Sequence, residues 1–231
     1  MEGNVNKQNV NKQDVGVRNP SLLGIIISPG VQFERMKIKS PVWGAFFLFI
    51  VIAAILSVVD VYQAVNHSDV IRNVPSAEEA TMVKYITIGT GIVSGLFGTA
   101  IWFFVAVGFY KVVMMFMGND TPYMRLLSIY LHAYVITCLG RIANLIIRTV
   151  FGGEMTTTYT SLGSLFETGT VTHGIASAFD VFSLWALVVM GLGLKITAGL
   201  SKKQATMLIV ILFIFSVAFS SLGGLIPNFG V

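Results

Sequence analysis

Arg141 stands inside an apolar stretch, LLSIYLHAYVITCLGRIANLII, where a charge is costly unless it is paired or faces water. Tyr134, Thr137, Asn144 and Arg148 are spaced to fall near the same helical face. Arg148 lies close enough to the end of the stretch for its side chain to snorkel to an interface. Asp180 is the expected partner of Arg141 and Asp60 the alternative, each near the same end of its own apolar segment. Two chemistries fit this cluster of Arg141, Asp180, Asp60 and Asn144: an ion pair that pins helices together, or a path for a substrate or proton. His132 falls on another face and is expected to be a packed or hydrogen-bonded residue.

The segment GTGIVSGLFG, Gly89 to Gly98, carries a second spacing of interest. Gly91 and Gly95 form a GxxxG pair, and Ser94 and Gly98 form a small-xxx-small pair beside it. Small residues let two helix backbones approach closely in lipid, where dispersion and weak hydrogen bonds drive association. The face serves either a sister helix of the same bundle or the helix of a partner protein. Ser216, Ser220 and Gly224 form a similar stripe near the C-terminus.

The remaining side chains argue against an enzyme. There is no Gly-x-Ser-x-Gly elbow, no phosphate-binding glycine loop with lysine and no carboxylate pair suited to acid–base work. GTGIVSGLFG follows no strand, so it is not a dinucleotide fingerprint. The single Cys138 excludes an internal disulfide, and His67, His132 and His173 lack metal-ligand spacing, so no cofactor or metal is expected.

These residues must be positioned by helices in a membrane. VWGAFFLFIVIAAILSVVDVY, Val42 to Tyr62, has no ionisable residue until Asp60 and no polar face. About 20 apolar residues at ~1.5 Å rise match a ~30 Å hydrocarbon core, in which backbone groups must be satisfied internally. The expected class is an all-α integral membrane protein with five spans, at about residues 42–62, 85–110, 126–147, 175–194 and 205–222. Charged residues make up 11% of the chain, against about 25% in soluble domains, as expected where surface faces lipid.

Residues 1–20 read as a disordered polar tail with a repeated NVNKQ, and residues 21–231 as one membrane domain. In SPGVQFERMKIKSP, Pro29 suits a first helical position after Ser28, and Phe33 and Met36 share a face. With Arg35, Lys37 and Lys39 nearby, this predicts a short helix at the inner membrane surface. Placing the N-terminus in the cytoplasm puts 11 of the 15 basic residues on that side. The C-terminus then lies outside. The basic residues are not interleaved with aromatics, so no nucleic acid is expected as a partner.

Three segments carry a resemblance: SPGVQFERMKIKSPVWG, GNDTPYMRLLSIYLHAYV and GLGLKITAGLSKKQATMLIVIL. Together they resemble the Yip family of five-span membrane proteins with a cytoplasmic N-terminus, over about residues 20–225. The link of eukaryotic members to small GTPases is not expected here, because no long cytoplasmic domain is present to hold one. Resemblance to bacterial members implies a non-enzymatic accessory protein of the bacterial cytoplasmic membrane. Such a protein would bind the permease and adaptor subunits of an ABC-type efflux exporter and support its assembly, in systems that protect against toxic peptides. The resemblance supplies no catalytic residues. The residues themselves leave one alternative, a small transporter or channel with a path near Arg141.

Overall fold

The computed structural model describes residues 18–67, 76–152 and 157–225. The N-terminal repeat, Arg72 and the extreme C-terminus lie outside the described residues, as do the surroundings of Gly224. Two short helices come first, α1 (Leu22–Ile27) and α2 (Pro29–Met36). The long helix α3 (Trp43–His67) follows. Next, α4 (Ala77–Val93) and α5 (Thr99–Phe116) are joined by a π-helical turn at Ser94–Gly98. After α6 (Tyr123–Phe151) come a 3-10 turn at Leu162–Leu165 and α7 (Val171–Ser177), then α8 (Val181–Ile196) and α9 (Lys202–Leu225).

Four segments are long and apolar enough to cross a membrane: Trp43–Gln63, Glu78–Phe116, Tyr123–Phe151 and Lys202–Leu222. The fourth expected span, 175–194, is not continuous. The chain breaks at Ala178–Asp180, leaving the short α7 and an apolar α8 of 16 residues. Asp180 causes the break: its backbone is extended, and its carboxylate accepts a hydrogen bond from Ser183 N, the position of an N-cap. The second helix starts earlier than expected for a related reason. Ser76 accepts from Glu79 N, and Ser76 with Glu79 forms the S-x-x-E pattern of a capping box. Residues 77–84, expected as loop, are therefore helical.

Helix α6 is the axle of the bundle. Its apolar window is 61% buried inside the chain, whereas that of Glu78–Phe116 is 17% buried. Leu126, Leu127, Ile129, Leu131 and Ile136 are fully buried. A helix surrounded by protein instead of lipid tolerates polar residues, because neighbouring helices supply their partners.

Helix α2 carries the expected Phe33 and Met36 face, but that face turns into the bundle. Both side chains are fully buried. Gly193 makes the docking possible, since a Cβ there would lie 2.7 Å from Phe33 Cε1 and 2.5 Å from Ile129 Cγ2. Thr197 Oγ1 donates to Phe33 O at 2.8 Å, and Ser21 N donates to Gln32 Oε1 at 2.9 Å, folding α1 back on α2. Helix α2 therefore closes one end of the bundle instead of lying apart in the interface. Ser28 occupies its N-cap position without a side-chain capping bond.

The same end is tied by loops. Asn119 Nδ2 donates to Ala198 O at 3.0 Å, Gln204 Nε2 to Met117 O at 2.9 Å, and Ser128 Oγ to Pro41 O at 2.7 Å. The Cα of Asn119 follows Gly118, whose φ of 73° is the left-handed conformation that glycine adopts without strain.

Candidate functional site

The polar face of α6 meets α3, the α6–α7 loop and the start of α8 at the opposite end of the bundle. Asp60 of α3 receives two guanidinium groups: Arg148 in a close pair, and Arg141 at 3.5 Å. Asp60 and Arg141 side chains are 35% and 37% exposed, and that of Arg148 is 13% exposed. The pair is therefore half-solvated, and its strength lies between that of a surface ion pair and a buried one. Tyr134 lies about two turns from Arg141 on the same face of α6.

Asp180, the first expected partner of Arg141, is not paired with it. Its carboxylate is held by Ser183 N and by a short hydrogen bond from Thr160 Oγ1. The positive end of the α8 dipole adds to this local balance. Asn144 fixes the loop: it donates to Thr160 Oγ1 at 2.7 Å and accepts from Thr160 N at 3.2 Å. Thr160 and Ser161 then pair with the backbone around Asp180, Val181 N donating to Thr160 O at 3.2 Å. Gly140, which sequence reasoning passed over, sets the spacing of α6 and α8. A Cβ there would lie 2.6 Å from Phe182 Cβ. Its position beside Arg141, at GR in an apolar stretch, is the signal that could have found it.

Two cavities meet at this cluster. One, of about 260 Å³, is polar and lined by Asp60, Arg141, Asn144, Arg148, Thr158 and Asp180 among others. The other, of about 520 Å³, is largely apolar and lies between α5, α6, α8 and α9. Thr137 of α6 and Ser183 of α8 line both.

The glycine segment divides in two. Gly91 and Gly95 face α3, where a Cβ would lie 2.6 Å from Val61 Cγ2 and 2.8 Å from Ala54 Cα respectively. They pack within the chain. Ser94 turns its hydroxyl back to Gly91 O at 3.0 Å, and Gly98 has open space where a Cβ would be. Further along the chain, Gly174 of α7 packs on the backbone of Ser220 and Ser221 of α9.

His132 Nδ1 lies 2.8 Å from Ser128 O, and His173 Nδ1 lies 3.0 Å from Gly163 O. Cys138 is free and buried. Among the described residues, no group of three His, Cys, Asp or Glu side chains could hold a metal ion. At the α2 end, Lys111 pairs with Asp120, and its ammonium holds the Asp120 carboxyl below the usual carboxylate range.

The chain is 32% identical to "Membrane protein YknW" of Bacillus subtilis (strain 168), over 99% of this chain and 98% of that protein. No solved structure matches it. The Yip1 domain model matches residues 23–223, which takes in every described helix from α2 to α8 and all but the last two residues of α9. An all-helical membrane protein, matched in this way over nearly its whole length, belongs to the Yip1 domain family.

Proposed function

We propose that the chain is a non-enzymatic, multi-pass protein of a bacterial cytoplasmic membrane that binds and supports assembly of an ABC-type efflux exporter. Its partners are then the permease and adaptor subunits, in a system that protects against a toxic peptide. The observation that carries a partner-binding role is the outer face of α5 with its π turn. Gly98, Ile101, Val105, Gly108, Val112 and Met115 recur at alternating spacings of three and four. The large members are exposed, and neither glycine has an atom of another helix within 4 Å of where its Cβ would be. A seam of that spacing with small residues suits packing against a foreign helix in lipid.

The proposed orientation has five crossings, α7 and α8 together forming the fourth. The α2 end is cytoplasmic, carrying Arg35, Lys37, Lys39, Lys111, Arg125, Lys195, Lys202 and Lys203. Purification of tagged protein in gentle detergent tests the assembly role. Exporter permease or adaptor subunits should co-purify, and Gly98→Leu should release them while the protein remains folded. Co-purification unchanged by Gly98→Leu would remove the seam from the reading.

One observation favours a second reading, a small transporter or channel. The break at Ala178–Asp180 and the polar cavity beside it are features of helices that line solute sites. Movement of solute into liposomes by the protein alone would support that reading over the first.

A further inference from the structure

The two cavities adjoin at Thr137 and Ser183, where the lining changes from polar to apolar. At the upper end Arg141 and Arg148 share a single carboxylate, Asp60, which leaves one formal positive charge in that group. Asp180 also lines this cavity; its carboxylate accepts from Ser183 N and Thr160 Oγ1 at the N-terminus of α8, where the helix dipole offsets part of its negative charge. Arg141 is the looser of the two guanidiniums, 3.5 Å from Asp60 and 37% exposed, and it lines the polar cavity. Arginine guanidinium matches phosphate oxygens in a fork geometry.

Below Thr137 and Ser183 the lining turns apolar and aromatic, with Ala133, Ala186, Met190, Leu212 and Phe215. Tyr134 belongs to this lining and lies about two turns from Arg141 on the same face of α6. The apolar cavity has a side entrance. Trp102 and Phe109 of α5 and Phe215 and Phe219 of α9 line it and are themselves exposed on the surface that faces lipid. From Arg141 down to Tyr130, the rise along α6 is about 16 Å. That is close to half of a ~30 Å hydrocarbon core, the depth of one leaflet. A volume of about 520 Å³ lies within the range of specific ligand pockets, roughly 300–1,000 Å³.

We infer that this composite cavity binds one anionic phospholipid of the surrounding bilayer, its phosphate on Arg141 and an acyl chain in the groove between α5 and α9. The cavity shares Val105 with the seam on the outer face of α5, but its contacts on α6, α8 and α9 lie outside that seam, so Arg141→Gln and Ala186→Phe test the lipid site apart from the assembly role. A bound lipid would fill the gap between α5 and α9, which the chain's own side chains bridge through the ring pair Phe109–Phe215 at 5.3 Å.

Native mass spectrometry of the full chain tests this, with phosphatidylglycerol and phosphatidylcholine of matched acyl chains offered together. One phosphatidylglycerol should be retained in preference. Arg141→Gln should reduce that retention about tenfold or more, the worth of a lost charge-assisted hydrogen bond. Arg141→Gln leaves Asp60 paired with Arg148, so the protein should still fold. Ala186→Phe, which fills the groove without touching the charges, should reduce retention of both lipids. The paired change Lys202→Gln and Lys203→Gln, at the other end of the bundle, should leave retention unchanged. Equal retention of the two lipids, or retention unaffected by either Arg141→Gln or Ala186→Phe, would overturn the proposal. So would binding of inorganic phosphate that depends on Arg141 but not on Ala186, because the site would then be a free-anion site. Loss of a co-purifying protein on Ala186→Phe with lipid retention intact would assign the groove to a partner helix and overturn it as well.

Discussion

Replacing Asp60 by Asn removes the one carboxylate shared by Arg141 and Arg148 while keeping the side chain's size. Breaking a fully buried pair costs about 3–5 kcal/mol, and a surface pair about 0–1 kcal/mol. With Asp60 35% exposed and Arg148 13% exposed, the expected loss falls between, at about 2–3 kcal/mol. For a chain of this length each kcal/mol corresponds to about 2–4 °C, so Tm should fall by about 5–10 °C. The protein carries its own probe. Cys138 is its single cysteine and is 6% exposed, so a thiol-reactive dye labels it only as the bundle opens. A set of double-mutant cycles then ranks the contacts. Asp60 with Arg148 should couple most strongly, Asp60 with Arg141 less, and Asp180 with Arg141 should be additive within about 0.5 kcal/mol. The order follows from one close pair, one at 3.5 Å, and one acid whose oxygens are held by Ser183 and Thr160. Coupling of Asp180 to Arg141 larger than that of Asp60 to Arg148 would refute the assignment.

The glycine segment should respond unevenly. Gly95→Leu drives a side chain into Ala54 and Ser57 and should cost about 1–3 kcal/mol or more, whereas Gly98→Leu should leave Tm within a degree or two; equal losses would contradict the division of that segment. Gly193→Ala places a methyl group against Phe33 and Ile129 and should loosen the α1–α2 hairpin. Faster amide exchange across residues 22–36, with α6 still protected, is the expected outcome. For orientation, Cys138 is first replaced by Ser, and a single cysteine is then introduced by Lys202→Cys or Thr158→Cys. A membrane-impermeant thiol reagent applied to whole cells should label the Thr158 site and spare the Lys202 site, and the reverse pattern would invert the proposed topology.

Much of the architecture is legible along the chain because lipid imposes a local rule. A segment must be apolar for about 20 residues to cross, and Trp43–Gln63 and Lys202–Leu222 announce themselves on that ground alone. Arg141 announces itself too, as the charge that breaks the rule inside the helix that tertiary structure surrounds with protein. The start of α4 at Ser76 and the break at Asp180 were also present in the sequence, as capping residues. Hydrophobicity averaged over a whole span hides a single capping residue, which is why 175–194 reads as one helix.

What the sequence by itself determined was depth: which residues lie at which height in the bundle, since helical rise converts position directly into distance along the axis. Depth alone therefore did not separate Asp60 from Asp180, and the expected order, Asp180 first and Asp60 second, is reversed in the structure. Which of them faces it depends on how the helices are arranged around α6, and that is fixed by contacts between residues far apart in the chain. Gly140 brings α8 close on one side through Phe182, and Asn144 and Thr160 fold the loop so that Asp180 caps α8. The side of α6 left to α3 gives Arg141 and Arg148 to Asp60. The same arrangement turns Gly95 inward and Gly98 outward, although both belong to one small-residue segment. Height is a local property of a helix, while azimuth is set only when the neighbouring helices have packed.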